Sequence, residues 1–292
     1  MGSPEALCRP GANVQDPLDI TFGYSPCPND TFAFHALMHG LVPTPGVRLS
    51  PFLADVEELN RRALKAELGL TKLSFHALAH VLDDYALLRS GAALGRGCGP
   101  LVVARAGAPA PDLSRVTVAV PGRLTTAHLL LSLYLGQPPV VEPLLFSEIM
   151  PAVASGKFAA GLIIHEGRFT FQQYGLTCLL DLGRWWERET GLPIPLGCIA
   201  LRRGLGREVG LMLEAALAES IRRAWQEPAA SRDYVLAHSQ EMEPAVVEQH
   251  IALYVNDFSA DLGPEGLGAV QEALARGRAA GLLPPSGREL TL

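Results

Sequence analysis

VTVAVPGRLTTAHLLLSLYLGQPPVVEPLLFSEIMPAVASGKFAAGLIIHE, residues 116–166, decides the fold class. Its apolar residues fall in short runs, Val116 to Val120, Val140 to Pro143 and Ala159 to Ile164, separated by Thr125 to Leu135 and Ser147 to Ser155, which have a helical period. Short apolar runs bounded by Gly and Pro read as buried strands, and the 3.6-residue period between them reads as helix. The alternation β-α-β-α-β specifies an α/β unit with a largely parallel sheet.

The same alternation continues outward. Upstream, Ile20 to Tyr24 reads as a strand, Asp30 to His39 as a helix stopped by Gly40, and Val47 to Phe52 as a second strand. Asp55 caps a helix running to about Glu67, Leu70 to Leu73 is a short strand, and Ser74 caps the next helix. Tyr85 to Leu88 and Leu101 to Ala104 are further strands. Ala106 to Pro111, made only of Ala, Gly and Pro, reads as a crossing between lobes, and Gly191, Pro193, Pro195 and Gly197 mark a second. Cys198 to Leu201 then returns as a strand to the first lobe. The expected organisation is a discontinuous lobe one, residues 1–105 and 196–292, and a lobe two, residues 106–195, with two crossings forming a hinge. The C-terminal third is helical: Val209, Met212, Leu213, Ala216, Ser220 and Ala224 keep one face apolar, and Pro244 opens a further helix packed on lobe one.

Composition bounds the function. The chain has 292 residues, 48% hydrophobic and 18% charged, enough to bury the core of two lobes at the usual ~150 residues per domain. Against 24 Lys and Arg stand 30 Asp and Glu, a net charge of −6 that disfavours nucleic acid or an anionic membrane as partner. A small molecule fits better, and an anion among them is not excluded, because helix N-termini supply positive charge that a side-chain count misses. No stretch approaches 18 consecutive apolar residues. Met1 to Pro17 has no apolar run for a secretory signal, Cys8 no preceding hydrophobic segment, and Gly2 no Ser or Thr at residue six. Five widely spaced cysteines without a C-x-x-C pair suit a reducing compartment, so a cytoplasmic location is expected.

Ligands of open α/β sheets bind beyond the carboxyl ends of the strands, so four strand-to-helix turns carry the candidate site. In Ser25-Pro26-Cys27-Pro28-Asn29-Asp30-Thr31-Phe32 two prolines stiffen the backbone and Asn29 or Asp30 can cap the helix; alone, this reads equally as a rigid turn. Cys27 is disfavoured as a nucleophile, since no histidine can be paired with it from sequence. In Thr71-Lys72-Leu73-Ser74 the hydroxyl, exposed amides and lysine suit a carboxylate, although a capped helix beside a solvated lysine explains the same residues. Pro121-Gly122-Arg123-Leu124-Thr125-Thr126-Ala127 offers an anion seat or merely a pair of caps. Gly161-Leu162-Ile163-Ile164-His165-Glu166 sets a histidine directly after a wholly apolar strand, where an imidazole in a low-dielectric cleft stays neutral and can act as a base. Glu166 either orients it or faces solvent. The glycine-rich stretch 91–99 lacks the residues of a phosphate-binding loop and reads instead as a flexible segment. The pairs His35/His39 and His76/His80 lack the intervening Glu of a zinc-protease helix, so no metal is expected.

Taken together in order and spacing, residues 25–32, 71–74, 91–97, 121–127 and 161–166, with Tyr-Val-Asn-Asp-Phe-Ser at 254–259, resemble the 1,4-dihydroxy-6-naphthoate synthases of the futalosine route to menaquinone. The resemblance spans nearly the whole chain. It implies a two-lobed type II periplasmic-binding-protein-like fold with a central cleft and hinge. It also implies a lyase converting cyclic dehypoxanthinyl futalosine to 1,4-dihydroxy-6-naphthoate with loss of dihydroxyacetone, without a cofactor. By motif His165 would be the proton acceptor, and Lys72, Leu73 and Ser74 with Thr125, Thr126 and Ala127 would hold a small carboxylated substrate, Ser25 and Asn29 being further candidates. Phe75 and His128 stand where relatives suggest Tyr, and Leu124 where His would fit. The alternatives are a solute-binding protein of the same fold, or the sister enzyme chorismate dehydratase.

Overall fold

The computed structural model describes residues 16–239 and 243–292, so the readings at Gly2 and Cys8 lie outside the described residues. Among the described residues eleven strands form two sheets. They are β1 (Leu18–Tyr24), β2 (Val47–Leu53), β3 (Leu70–Ser74), β4 (Tyr85–Leu87), β5 (Ala93–Gly95), β6 (Leu101–Arg105), β7 (Val118–Val120), β8 (Val141–Pro143), β9 (Ala160–Ile163), β10 (Leu176–Asp181) and β11 (Ile194–Arg202). Lobe one holds the order β2-β1-β3-β11-β4, with β5 added on β11; lobe two holds β10-β6-β9-β7-β8.

Two expectations need correction. The sheets are mixed rather than largely parallel: β1 runs parallel to β2 and β3, but β11 is antiparallel to β3, β4 and β5, and β6 is antiparallel to β9 and β10. The reason is the double crossing, since β6 and β11 each enter a sheet from the other lobe and run against its β-α-β core. The first crossing also lies earlier than Ala106 to Pro111. β6 hydrogen-bonds β9 and β10, so Leu101 onward belongs to lobe two, and the passage is made by the glycine-rich stretch after β5. The second crossing falls between the helix Leu182–Thr190 and β11, which begins at Ile194. β5 and β10 were not legible as strands: Ala93–Gly95 is three residues among glycines, and Leu176–Asp181 is a partly exposed strand at the sheet edge.

Strand alternation builds the cores. In lobe one Ile20, Phe22, Tyr24 and Ile199 pack against the helices Pro28–Met38 and Arg207–Gln226, whereas Leu73, Cys198 and Ala200 pack on the other face beside Phe75, Leu78 and the helix Gly263–Ala279. In lobe two Val102, Val118, Val120 and Leu162 face one side, and Leu101, Val103, Ala119 and Ile163 the other. Each lobe is thus a sheet covered on both faces, with strand ends and helix starts converging on the groove between them. Among the described residues no helix is long and apolar enough to cross a membrane.

Candidate active site

A cleft of about 600 Å³, its mouth included, opens where the lobes meet, a size suited to a small molecule. Lobe one contributes Asn29, Lys72, Ser74 and Gly197; lobe two contributes Thr125, Thr126, Ala127 and His165. Seven of the nine sequence candidates therefore line one cavity. The other two do not. Leu73 is fully buried and, by the alternation of β3, points away from Lys72 and Ser74 into the hydrophobic core. Ser25 lies behind the wall, its hydroxyl donating to Asp30 Oδ2 at 2.6 Å.

Asp30 organises that wall. Besides the Ser25 hydroxyl, its carboxylate accepts the Ser25 amide at 3.2 Å and Asn29 Nδ2 at 2.8 Å, and it is ion-paired with the Lys72 ammonium. Lys72 is therefore not a solvated lysine, and its charge is already balanced within the protein. Asn29 in turn accepts a hydrogen bond from His250 Nε2 at 2.9 Å through its Oδ1. His250 and Tyr254, both lining residues, come from the helix Pro244–Tyr254, more than 200 residues from Asn29 in sequence. Burial, then the proximity of His165, drives the His250 pKa well below the usual imidazole range, so it is a neutral donor.

His165 ends the turn after β9 with φ +55°, a left-handed conformation that costs a non-glycine residue about 1–3 kcal/mol and concentrates at functional sites. Burial, reinforced by Lys72 and opposed by Asp30, brings its pKa down to about 4, leaving a neutral imidazole. Its Nδ1 lies 3.2 Å from Cys27 Sγ, and Phe146 meets its ring edge-to-face at 5.1 Å between centroids. The Cys27 pairing corrects the expectation that this thiol has no histidine: the partner is 138 residues away and comes from the other lobe. Glu166 does not face solvent. It is buried, with Oε2 3.9 Å from His250 Nδ1.

The two expected anion seats are partly taken. Ser74 N–H donates to Asn60 Oδ1 at 2.9 Å and the Ser74 hydroxyl accepts from Asn60 Nδ2 at 3.1 Å, so the hydroxyl proton, not the amide, is what Ser74 offers a ligand. In the turn 121–124 an anion does sit, and it is the protein's own: Glu57 of lobe one accepts Arg123 N–H at 2.9 Å and Leu124 N–H at 3.2 Å. Thr125 caps the helix Thr126–Leu135 through His128 N–H, and Thr126 Oγ1 donates across the cleft to Leu196 O at 2.6 Å. The amides of Thr126 and Ala127, in the first turn of that ten-residue helix, have no intrahelical acceptor and border the cavity. Among the described residues no group of three or more His, Cys, Asp or Glu could hold a metal ion.

Two covered sheets, a double crossing and a polar interlobe cleft define a two-lobed protein of periplasmic-binding-protein architecture. A Candida albicans protein described as exhibiting the generic periplasmic binding protein structural fold superposes with a TM-score of 0.68 over 92% of each chain, at 10% identity, evidence of fold alone. The chain belongs to the menaquinone biosynthesis family, whose model matches residues 20–279. It is 51% identical over 275 residues to a 1,4-dihydroxy-6-naphtoate synthase of Streptomyces coelicolor, covering 92% of this chain and 96% of that one. It is 52% identical over 271 residues to the enzyme of the same name from Thermus thermophilus, covering 93% and 98%. A protein of Archaeoglobus fulgidus of known structure has a TM-score of 0.84 at 37% identity over 91% of this chain and 98% of its own. The resemblance carried by the sequence motifs is thereby borne out, as are the fold class and the reading of the chain as an enzyme.

Proposed function

We propose that the chain is a lyase that converts cyclic dehypoxanthinyl futalosine to 1,4-dihydroxy-6-naphthoate with release of dihydroxyacetone, and that His165 is the proton-abstracting base. The observation that carries this reading is a neutral imidazole on the cleft wall with Nδ1 already engaged, which leaves Nε2 for a substrate proton. The substrate carboxylate fits the open amides of Thr126 and Ala127, and its hydroxyls fit the Ser74 hydroxyl and the Asn29 amide. Enclosure by both lobes excludes water from an anionic intermediate on the way to the aromatic product. A cytoplasmic location belongs to the same reading and is supported by the cysteines among the described residues, Cys27, Cys98, Cys178 and Cys198, all free.

The test is turnover. Purified protein incubated with the cyclic futalosine is expected to release the dihydroxynaphthoate, and His165→Ala to bind the substrate while turning over at least ~100-fold more slowly. Undiminished turnover in that variant removes His165 from the mechanism. Binding without product by the wild type favours a solute-binding role.

A further inference from the structure

We propose that Cys27 is a positioning residue for His165: its sulfur accepts the Nδ1 proton and so holds the imidazole in the tautomer whose Nε2 lone pair is basic. This deepens the proposed function and rests on His165 being the base. A neutral imidazole carries one ring proton, and whichever nitrogen holds it cannot take another. At 3.2 Å, Cys27 Sγ and His165 Nδ1 share one hydrogen, and its ownership decides which nitrogen is free.

The direction follows from which nitrogen is engaged. Burial, then the charge of Glu166, pushes the Cys27 thiol well above the ordinary cysteine range, so the sulfur is a neutral thiol and not a thiolate. Nδ1 is the nitrogen turned to Cys27, so the base of the proposed reaction is Nε2, and a lone pair there requires the ring proton on Nδ1, donated to the sulfur. When Nε2 takes up a substrate proton, the positive imidazolium keeps this bond and no second proton needs to move. The field of Asp30 already favours the protonated ring.

The local sequence fits this use of a thiol. Cys27 is the N-cap of the helix Pro28–Met38, a position where Ser, Thr, Asp or Asn normally bonds the first-turn amides, yet its side chain makes no capping hydrogen bond. Pro26 and Pro28 fix the backbone on either side. The sulfur is spared from capping and turned toward the other lobe.

Nitrogen-15 NMR of histidine-labelled full-length protein reads the tautomer directly. Wild type is expected to show His165 protonated at Nδ1, with Cys27→Ser retaining that state and Cys27→Ala losing it. In turnover, Cys27→Ala is expected to lose about 10- to 100-fold in kcat with KM within about 2-fold, and Cys27→Ser to recover most of the loss. A wild-type ring protonated at Nε2, or a Cys27→Ala enzyme with unchanged kcat, overturns the proposal. Failure of the base assignment looks different: His165→Gln would then keep near-wild-type turnover whatever the tautomer.

Discussion

Lys72 and Asp30 form an ion pair at the cleft wall with side chains only 8% and 2% exposed, joining β3 to the first turn of the helix Pro28–Met38. Desolvating two charges is repaid only when each finds its partner, so removing one is costlier than removing both. Asp30→Asn leaves the Lys72 ammonium buried without a counter-charge and weakens three further donations, from the Ser25 hydroxyl, the Ser25 amide and Asn29. The expected loss is about 3–5 kcal/mol in urea unfolding for Asp30→Asn or Lys72→Met alone. The double variant is expected to regain a substantial part of it. Additive single losses would show that the two charges do not depend on each other.

Buried neutral histidines make the protein acid-sensitive, and two of them do so in a defined window. His165 and His76, the latter bonded through Nδ1 to Thr125 O at 3.1 Å, both have pKa values brought down to about 4, mainly by burial. Their unfolded counterparts titrate near 6.5, so between those values the unfolded chain binds more protons. The stability these groups allow is therefore complete above about pH 6.5 and is lost as pH falls toward about 4. Turnover follows His165 of the folded enzyme: kcat/KM is expected to lack an acid limb near pH 6.5 and to fall only as pH approaches about 4. A pH series of unfolding midpoints and a pH–rate profile check both; an acid limb at pH 6.5 would mean that His165 is not held neutral, or is not the base.

Much of this site was legible because its residues lie where strands end. Lys72, Ser74, Thr125 and His165 each sit at a strand's carboxyl end or the following helix start, and local pattern alone finds such positions. Asp30 was visible only as a cap, because the donors that make it the centre of the wall come from Ser25, Asn29 and Lys72 at once. His250 gave no signal and Tyr254 entered only as the first residue of the motif 254–259, with nothing local to place either in the cleft, since a helix arriving from the C-terminal third brings them in by tertiary packing. The misplaced boundary has a similar cause. Leu101 to Ala104 reads as a strand from sequence, but which sheet it joins is fixed by antiparallel partners far downstream, Gly161 to Ile163 and Thr177 to Asp181.

The corrected crossing makes a stability prediction. At its end, Gly183 packs so tightly that an added Cβ would stand 1.8 Å from the carbonyl oxygen of Cys98, backbone against backbone. Gly183→Ala is expected to destabilise by about 1–3 kcal/mol, the usual cost of overpacking. Gly107, in the Ala-Gly-Pro stretch first read as the crossing, has open space around it and a φ of +76°, so Gly107→Ala costs only left-handed strain, about 1 kcal/mol. Thermal unfolding of the two variants checks the order, and equal losses would contradict a packed crossing at Cys98.

Glu57 is one of the contacts that join the lobes at the site. Its carboxylate bonds the Arg123 and Leu124 amides, burial raises its pKa, and a Cβ on Gly122 would come within 2.3 Å of it, so a larger residue in the turn would make the Glu57 side chain shift. A carboxylate on backbone amides is a charge-assisted bond, and Glu57→Gln removes the charge while keeping the size. This variant is expected to populate a more open arrangement, seen as a larger radius of gyration in X-ray scattering and a higher KM, with the unfolding midpoint little changed. Gly122→Ala is expected to open the lobes further, because it displaces the side chain as well as weakening the bond. Scattering profiles identical to wild type for both variants would show that the lobes close without this contact, through bonds such as Thr126 to Leu196, His76 to Thr125 and Cys27 to His165.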